Sequence, residues 1–382
     1  MAEGDSMRVA VIGGGQLARM MVPAAINLGI DLRVLAESEG MSADLAATDV
    51  GDYRNVDKVL QFCSTADVVT FDHEHVPQAV LHALVDAGLA VHPGPDALLA
   101  AQDKLHMRAA LTGLGIPVPR WAAVADSAEL ATFLEQNNGA AVVKTARGGY
   151  DGKGVRIVRA ATEADDWFAA LAEDGNGGSL LAEELVDFRR ELAQSVARRP
   201  SGQVAAWSAV ESIQRDGVCA EVIAPAPGLD PELARVAADI ATAIAEALNV
   251  TGVLAVELFE TADGRILVNE LAMRPHNSGH WSIEGSVTSQ FEQHLRAVLD
   301  LPLGDTAPVA GWTVMVNILG GPTTGTMADR YQNAFAAFPG VKIHNYGKDP
   351  RPGRKVGHVT AMGDDLDTVL HEARAMAALF GD

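Results

Sequence analysis

The chain has 382 residues, 48% of them hydrophobic, and a formal net charge of −21. That length allows two or three domains, and the acidic balance argues against a general nucleic-acid binder, which needs a basic footprint. No stretch of about eighteen apolar residues is free of charge, so no membrane span is expected. The start, Met1-Ala2-Glu3-Gly4-Asp5-Ser6, has none of the features of a secretory leader. Cys63 and Cys219 make neither a disulfide framework nor a zinc pattern and read as buried thiols. The expected location is the cytoplasm.

Met7 to Ile12 predicts a buried strand. Gly13-Gly14-Gly15 follows, then a helix over Gln16 to Leu28 with Leu17, Met20, Met21 and Ala24 at helical spacing. Further strands are predicted at Asp31 to Leu35, Asp67 to Phe71 and Ala90 to His92. Helical stretches lie between them, the pattern of a parallel sheet with right-handed crossovers. Gly13-Gly14-Gly15-Gln16-Leu17-Ala18, with Glu37 after the second strand, fits a dinucleotide fingerprint. A glycine turn at a helix start also cradles other phosphates. At this point a hydride-transfer enzyme is an open reading.

Gly115-Ile116-Pro117-Val118-Pro119 breaks the alternation and sets a boundary. The expected division is residues 1–120, a Rossmann-like domain, 121–186, a small lid domain, and 187–382, a C-terminal domain. In the second unit, strands at Ala141 to Lys144 and Val155 to Val158 flank a loop rich in glycine, and a helix starts near Thr162. Amides of that loop can close over phosphates while Lys144 and Lys153 supply charge, so it is a candidate lid. Leu180 to Val186 is a strand with an acid pair. Glu183 and Glu184 can accept hydrogen bonds from a nucleobase amine and ribose hydroxyls, and the backbone of Leu185 and Val186 can read the base edge.

The third unit holds Glu257 and Glu270, each in an apolar strand, joined through Thr261-Ala262-Asp263-Gly264. A two-residue turn sets Glu257 opposite Glu270, and a four-residue turn makes them diagonal neighbours. Both leave the carboxylates on one face, and an odd loop would separate them. Carboxylates in such surroundings are costly unless paired or bound to metal, and oxygen donors favour Mg²⁺ or Mn²⁺ over Zn²⁺. Beyond lie a predicted helix from Ser286 to Leu299, a surface loop at Thr306 to Ala310 and a basic run from Lys342 to His358. That run contains Lys342, Lys348, Arg351, Arg354 and Lys355 against one acid, Asp349, and is a candidate phosphate or carboxylate site. An amphipathic helix from Leu366 to Leu379 closes the chain.

In this order the motifs resemble the ATP-grasp enzymes, and most closely the bacterial 5-(carboxyamino)imidazole ribonucleotide synthetase family of purine biosynthesis. The resemblance spans nearly the whole chain. It rests on GGGQLARM at 13–20, TFDHEHVP at 70–77, GIPVP at 115–119, KTARGGYDGKG at 144–154, Glu183-Glu184, NELAMRPHNSGH at 269–280 and RPGRKVGH at 351–358. One position departs: Asp72 stands where the family usually has Glu, while Glu74 keeps the second acid.

The resemblance implies an α/β ATP-grasp fold, α+β in its later domains, behind an N-terminal Rossmann-like parallel sheet. It also implies a homodimeric ligase that joins bicarbonate to the amine of aminoimidazole ribonucleotide through carboxyphosphate. ATP would contact Lys104, Lys144, Gly149, Tyr150, Asp151, Gly152, Lys153, Gly154, Val155, Glu183, Glu184, Leu185, Val186, Glu191, Gln214 and Asn269. The ribonucleotide would contact Gly15, Gln16, Leu17, Glu74, Tyr150, Asp151, Asn277, Ser278, Lys348, Arg351, Arg354 and Lys355. Mg²⁺ or Mn²⁺ would sit on Glu257 and Glu270. Arg274, His276 and Lys355 would bind bicarbonate and stabilise carboxyphosphate. All expected ligands are small molecules, with no nucleic-acid or membrane partner. A formate-dependent glycinamide ribonucleotide transformylase and an inactive ATP-grasp binding protein stay open as alternatives.

Overall fold

In the computed structural model, which describes residues 6–148, 154–173 and 178–381, the described chain forms three sheets. The first contains β1 (Arg8–Ile12), β2 (Asp31–Ala36), β3 (Ala47–Val50) and β4 (Val68–Phe71) in the order β3-β2-β1-β4, all parallel. Val9 to Ile12 are all buried, as a parallel strand covered on both faces requires. Helices α1 (Gln16–Leu28), α2 (Val56–Cys63), α3 (Gln78–Asp86), α4 (Pro95–Gln102) and α5 (Lys104–Gly113) complete this part. The strand expected at Ala90 to His92 is reduced to one bridge between Val91 and Val69. Pro93 follows at once, and a residue without an N–H cannot extend the ladder.

The glycine turn does not match a dinucleotide site. Gly15 N–H donates to Asp72 Oδ2 at 3.0 Å and Ala18 N–H to Asp72 Oδ1 at 2.7 Å. Gly14 N–H donates to Glu37 at 3.1 Å. Amides that a pyrophosphate would need are therefore bonded to the protein's own carboxylates, and Asp72 caps α1 from the end of β4. Both cysteines are buried thiols as expected; burial pushes Cys63 up to about 12 and Cys219 up to about 11.

The second sheet is antiparallel, in the order β5-β8-β6-β7: β5 (Trp121–Val124), β6 (Ala141–Thr145), β7 (Val155–Val158) and β8 (Leu180–Glu184). Helices α6 (Ser127–Gln136) and α7 (Asp165–Glu173) pack on it through Leu130, Phe133, Leu134 and Trp167. The helix expected from Thr162 begins as a 3₁₀ turn, Ala161–Ala164, and becomes α-helical at Asp165.

The third sheet follows the order β14-β13-β9-β11-β12-β15-β17-β16, with β10 paired to β9. Its strands are β9 (Phe188–Arg198), β10 (Val204–Ala206), β11 (Val210–Arg215), β12 (Val218–Ala224), β13 (Gly252–Thr261), β14 (Ile266–Ala272), β15 (Trp312–Leu319), β16 (Lys342–Asn345) and β17 (Lys355–Gly363). Helices α8 (Pro231–Ala247), α9 (Ser282–Gly285), α10 (Gln290–Val298), α11 (Tyr331–Ala337) and α12 (Leu366–Ala378) cover it. The helix predicted from Ser286 starts instead at Gln290. Ser289 accepts from Glu292 N–H as its cap, while Ser286 is extended and bridges Pro308. The basic run is the β16–β17 hairpin. No helix among the described residues is long and apolar enough to cross a membrane.

A Cβ at Gly15 would stand 2.0 Å from Asp72 Oδ2. Gly15→Ala must push the buried carboxylate off the helix start, an overpacking cost of about 1–3 kcal/mol. Urea denaturation should show that loss, and an unchanged midpoint would contradict this account of the turn.

Candidate active site

The β13–β14 hairpin is built in a way the strand pattern does not reveal. Thr261 N–H bonds Arg265 C=O at 2.9 Å, enclosing a three-residue turn. Glu260 then pairs with Ile266, Phe259 with Leu267 and Leu258 with Val268. This is the odd loop that alone would put Glu257 and Glu270 on opposite faces. A bulge at Asn269 corrects it: beyond the shift, Glu257 pairs with Glu270 and Val256 with Leu271. The carboxylates return to one face. On the other side of β13, Glu257 pairs with Ala193 of β9. Glu191, two residues before Ala193, shares that face.

Three acids on one face repel. Burial and the charges of Glu270 and Glu191 push Glu257 up to about 7. Burial also raises Glu191 above the usual carboxylate range. Glu270 goes the other way. Burial works against its charge, but Lys104 and Lys144 outweigh that and hold it low. Lys104 Nζ lies 2.5 Å from Glu270 Oε1. The Glu257 and Glu270 side chains keep 26% and 40% exposure, so a ligand in the cleft can reach both.

Cations from two other parts of the chain meet at the bulge. Lys144, at the end of β6, reaches Asn269 Oδ1 at 3.0 Å and Glu183 Oε2 at 2.8 Å. Arg108 of α5 bonds Glu183 through Nε and the Asn269 carbonyl through Nη2 at 2.6 Å. Glu183 is 2% exposed. Burial would raise its pKa, but Lys144 and Arg108 prevail and keep it ionised. The acid pair, expected at the nucleobase and ribose, has protein partners in this structure. The Glu183 carboxylate is committed to Arg108 and Lys144, and Glu184 accepts from Arg120 N–H at 2.9 Å and Arg120 Nε at 2.8 Å. Leu185 is exposed at the strand end.

The loop after β14 carries Arg274 and His276. Arg274 Nε donates to Glu74 Oε2 at 2.7 Å, tying it to the loop after β4. Burial, with Arg274 and Lys355 nearby, holds His276 far below the usual imidazole range, so it is neutral at pH 7. Its Nδ1 accepts from Ser278 N–H at 3.4 Å and lies 2.9 Å from Ser278 Oγ, which leaves the proton on Nε2, 3.6 Å from Glu257. Ser278 is buried and Asn277 exchanges hydrogen bonds with Asn317 at 3.1 and 2.7 Å. These two expected ribonucleotide contacts therefore brace the loop.

Lys348, in the β16–β17 hairpin, bonds Gln16 at the start of α1. Ser42 Oγ donates to Tyr346 C=O at 2.5 Å, a second link between the first sheet and the hairpin. Arg351 is exposed at its tip, and Arg354 and Lys355 are half-buried. Leu17 is buried, Gly15 is bonded to Asp72, and Gln214 donates to Ser212 Oγ on its own strand at 2.9 Å. Gly154 and Val155 begin the return into β7. The expected contacts Gly149, Tyr150, Asp151, Gly152 and Lys153 lie outside the described residues. Arg108 is the residue that strand and loop motifs missed. Its signal was a pair of cations, Lys104 and Arg108, four apart on one helix face.

Residues 109–291 match the ATP-grasp domain family, 6–102 the ribonucleotide synthetase preATP-grasp domain and 313–372 the phosphoribosylaminoimidazole carboxylase C-terminal domain. The N5-carboxyaminoimidazole ribonucleotide synthase of Mycobacterium tuberculosis is 50% identical over 373 residues, covering 97% of this chain and 86% of that protein. The crystal structure of carboxyaminoimidazole ribonucleotide synthase from Aspergillus clavatus complexed with ATP is 31% identical, with a TM-score of 0.88 and coverage of 98% of each chain. The same organism's N5-carboxyaminoimidazole synthase, in complex with ADP and 5-aminoimidazole ribonucleotide, is 30% identical, with a TM-score of 0.86 and coverage of 98% of each chain.

The raised Glu257 pKa has a signed consequence for stability without divalent cations. The folded protein keeps this proton up to about pH 7, whereas an ordinary glutamate loses it near 4.5. Its contribution is full below 4.5 and is lost as pH rises through 7. Glu257→Gln, which cannot ionise, should be more stable than the parent at pH 8, with the difference shrinking toward pH 5. Thermal melts in EDTA at both pH values check this; a difference independent of pH would refute the assignment.

Proposed function

The chain belongs to the N5-carboxyaminoimidazole ribonucleotide synthase family of ATP-grasp ligases, and from that premise we propose how its side chains divide the reaction. The activity is ATP-dependent carboxylation by bicarbonate of the exocyclic amine of 5-aminoimidazole ribonucleotide in purine biosynthesis. A bicarbonate oxygen attacks the γ-phosphorus and ADP leaves. The resulting carboxyphosphate splits into carbon dioxide and phosphate, and the amine adds to carbon dioxide and loses a proton. The observation that carries the reading is the carboxylate pair made cofacial by the Asn269 bulge, with Lys144 and Lys104 beside it.

The donor set fits a hard divalent cation: two partly exposed carboxylates on one face, with no thiolate and with imidazole only at the edge. Glu257 and Glu270 would hold Mg²⁺, which when bound neutralises phosphate charge. Lys144 and Asn269 lie beside the pair and serve the triphosphate. Arg274 is fixed by Glu74, so its guanidinium is set in place before charge develops on the carboxyphosphate, the condition for electrostatic stabilisation. His276, neutral and with hydrogen on Nε2, serves as a donor to a bicarbonate oxygen. The β16–β17 hairpin takes the ribonucleotide phosphate through Arg351, Arg354, Lys355 and Lys348. The Lys348–Gln16 bond supports placing that ligand where hairpin and first sheet meet. On the same premise the enzyme works in the cytoplasm as a homodimer, which light scattering would check.

Phosphate release measured with each substrate omitted in turn tests the activity. Release that requires ATP, bicarbonate and aminoimidazole ribonucleotide together supports it, and turnover with formate in place of bicarbonate would favour a transformylase.

The two ends of the site should separate kinetically. Arg351→Ala should raise the KM for the ribonucleotide and leave that for ATP nearly unchanged. A charge-assisted phosphate contact of roughly 1.5–3 kcal/mol corresponds to about ten- to a hundredfold. Arg274→Ala should lower kcat more than either KM. An Arg351→Ala variant defective mainly in ATP binding, or an Arg274→Ala variant with parental kcat, would show the division to be wrong.

A further inference from the structure

The cleft rests on a side chain that substrate does not reach. Arg108 is 0% exposed. It joins Glu183 on β8 to the Asn269 carbonyl on β14. Glu183 holds Lys144, and Lys144 returns to Asn269 Oδ1. Arg108, Glu183, Lys144 and Asn269 thus close a ring across α5, the second sheet and the hairpin. One turn earlier on the same helix face, Lys104 holds Glu270.

Asn269 is the bulged residue, and a bulge takes its residue out of the ladder. Its carbonyl is satisfied by the guanidinium. Without that donor the part-buried carbonyl loses its partner, which carries a penalty. The hairpin can relieve it by continuing the register of its first three pairs, in which Glu257 no longer faces Glu270. The two acceptors belong to different elements. A guanidinium fork serves both, whereas an ammonium on a shorter stem is a single point of charge.

We infer that Arg108 is a positioning residue for the reaction: it holds the Asn269 bulge, and so keeps Glu257 and Glu270 on one face, and through Glu183 it holds Lys144 in the cleft. This rests on the proposed placement of metal and triphosphate at that pair.

The test uses the full-length enzyme with Arg108→Lys, Arg108→Met and the double variant Arg108→Met/Glu183→Met. Each is followed by thermal melt, steady-state kinetics per folded enzyme, and Mn²⁺ affinity in the presence of ATP by electron paramagnetic resonance. Arg108→Lys should fold and keep the ribonucleotide KM. Its kcat and Mn²⁺ affinity should both fall by about 10- to 100-fold, the range for groups that orient metal ligands. The double variant removes the buried guanidinium together with the carboxylate it shares with Lys144. It should still lack the Mn²⁺ affinity and kcat. If Arg108→Met does not fold, Arg108→Lys and the double variant decide. Parental kcat and Mn²⁺ affinity in either of those folded variants would overturn the inference, whatever their melting points. A parent enzyme that fails to bind Mn²⁺ with ATP, or to carboxylate the ribonucleotide, would instead defeat the proposed function.

Discussion

Repulsion between Glu257 and Glu270 is the constraint around which the rest of the site is arranged. Two carboxylates paired across adjacent strands, with Glu191 on the same face, cannot all ionise in low-dielectric surroundings without compensation. Compensation comes unevenly. Lys104 and Lys144 favour the charged form of Glu270, while Glu257 stays hard to ionise. Such an arrangement is poor for stability and suited to a cation that arrives with its substrate. The fold tolerates it because α5 supplies Lys104 and Arg108 and the second sheet supplies Lys144 as fixed positive groups.

The first sheet contributes less chemistry than its glycine turn suggests. Asp72 and Glu37 bond the amides at the start of α1. The shorter acid at position 72 still reaches both Gly15 and Ala18. What this part of the chain offers the cleft is placement: Glu74 orients Arg274, and Gln16 meets Lys348 of the basic hairpin. Two segments far apart in sequence, the loop after β14 and the β16–β17 hairpin, are thereby tied to the N-terminal part of the chain.

Much of this was legible in the residue order because local signals were strong. The helix at Gln16–Leu28 has clear apolar spacing between a glycine turn and Gly29. The strand before Pro93 failed because one missing N–H mattered more than three favourable residues. The strand at Ala47–Val50 went unseen because its exposure alternates at a sheet edge and its composition is mixed. At the site, the cofacial acids were foreseen for an incomplete reason. The turn is odd, and a bulge whose carbonyl partner lies 161 residues away restores the register. No local pattern encodes such a contact. The same applies to Glu183, which reads as a hydrogen-bond acceptor on an apolar strand and whose partner Arg108 lies 75 residues earlier.

The account turns on where a divalent cation sits. Anomalous diffraction from crystals grown with Mn²⁺ and a non-hydrolysable ATP analogue locates the ion without reference to activity. The geometry predicts an Mn²⁺ peak bound by oxygens of both Glu257 and Glu270 and by the triphosphate, with the Asn269 bulge retained. An ion held by the triphosphate alone, or by carboxylates elsewhere, would contradict the assignment of this hairpin as the metal-bearing element of the site.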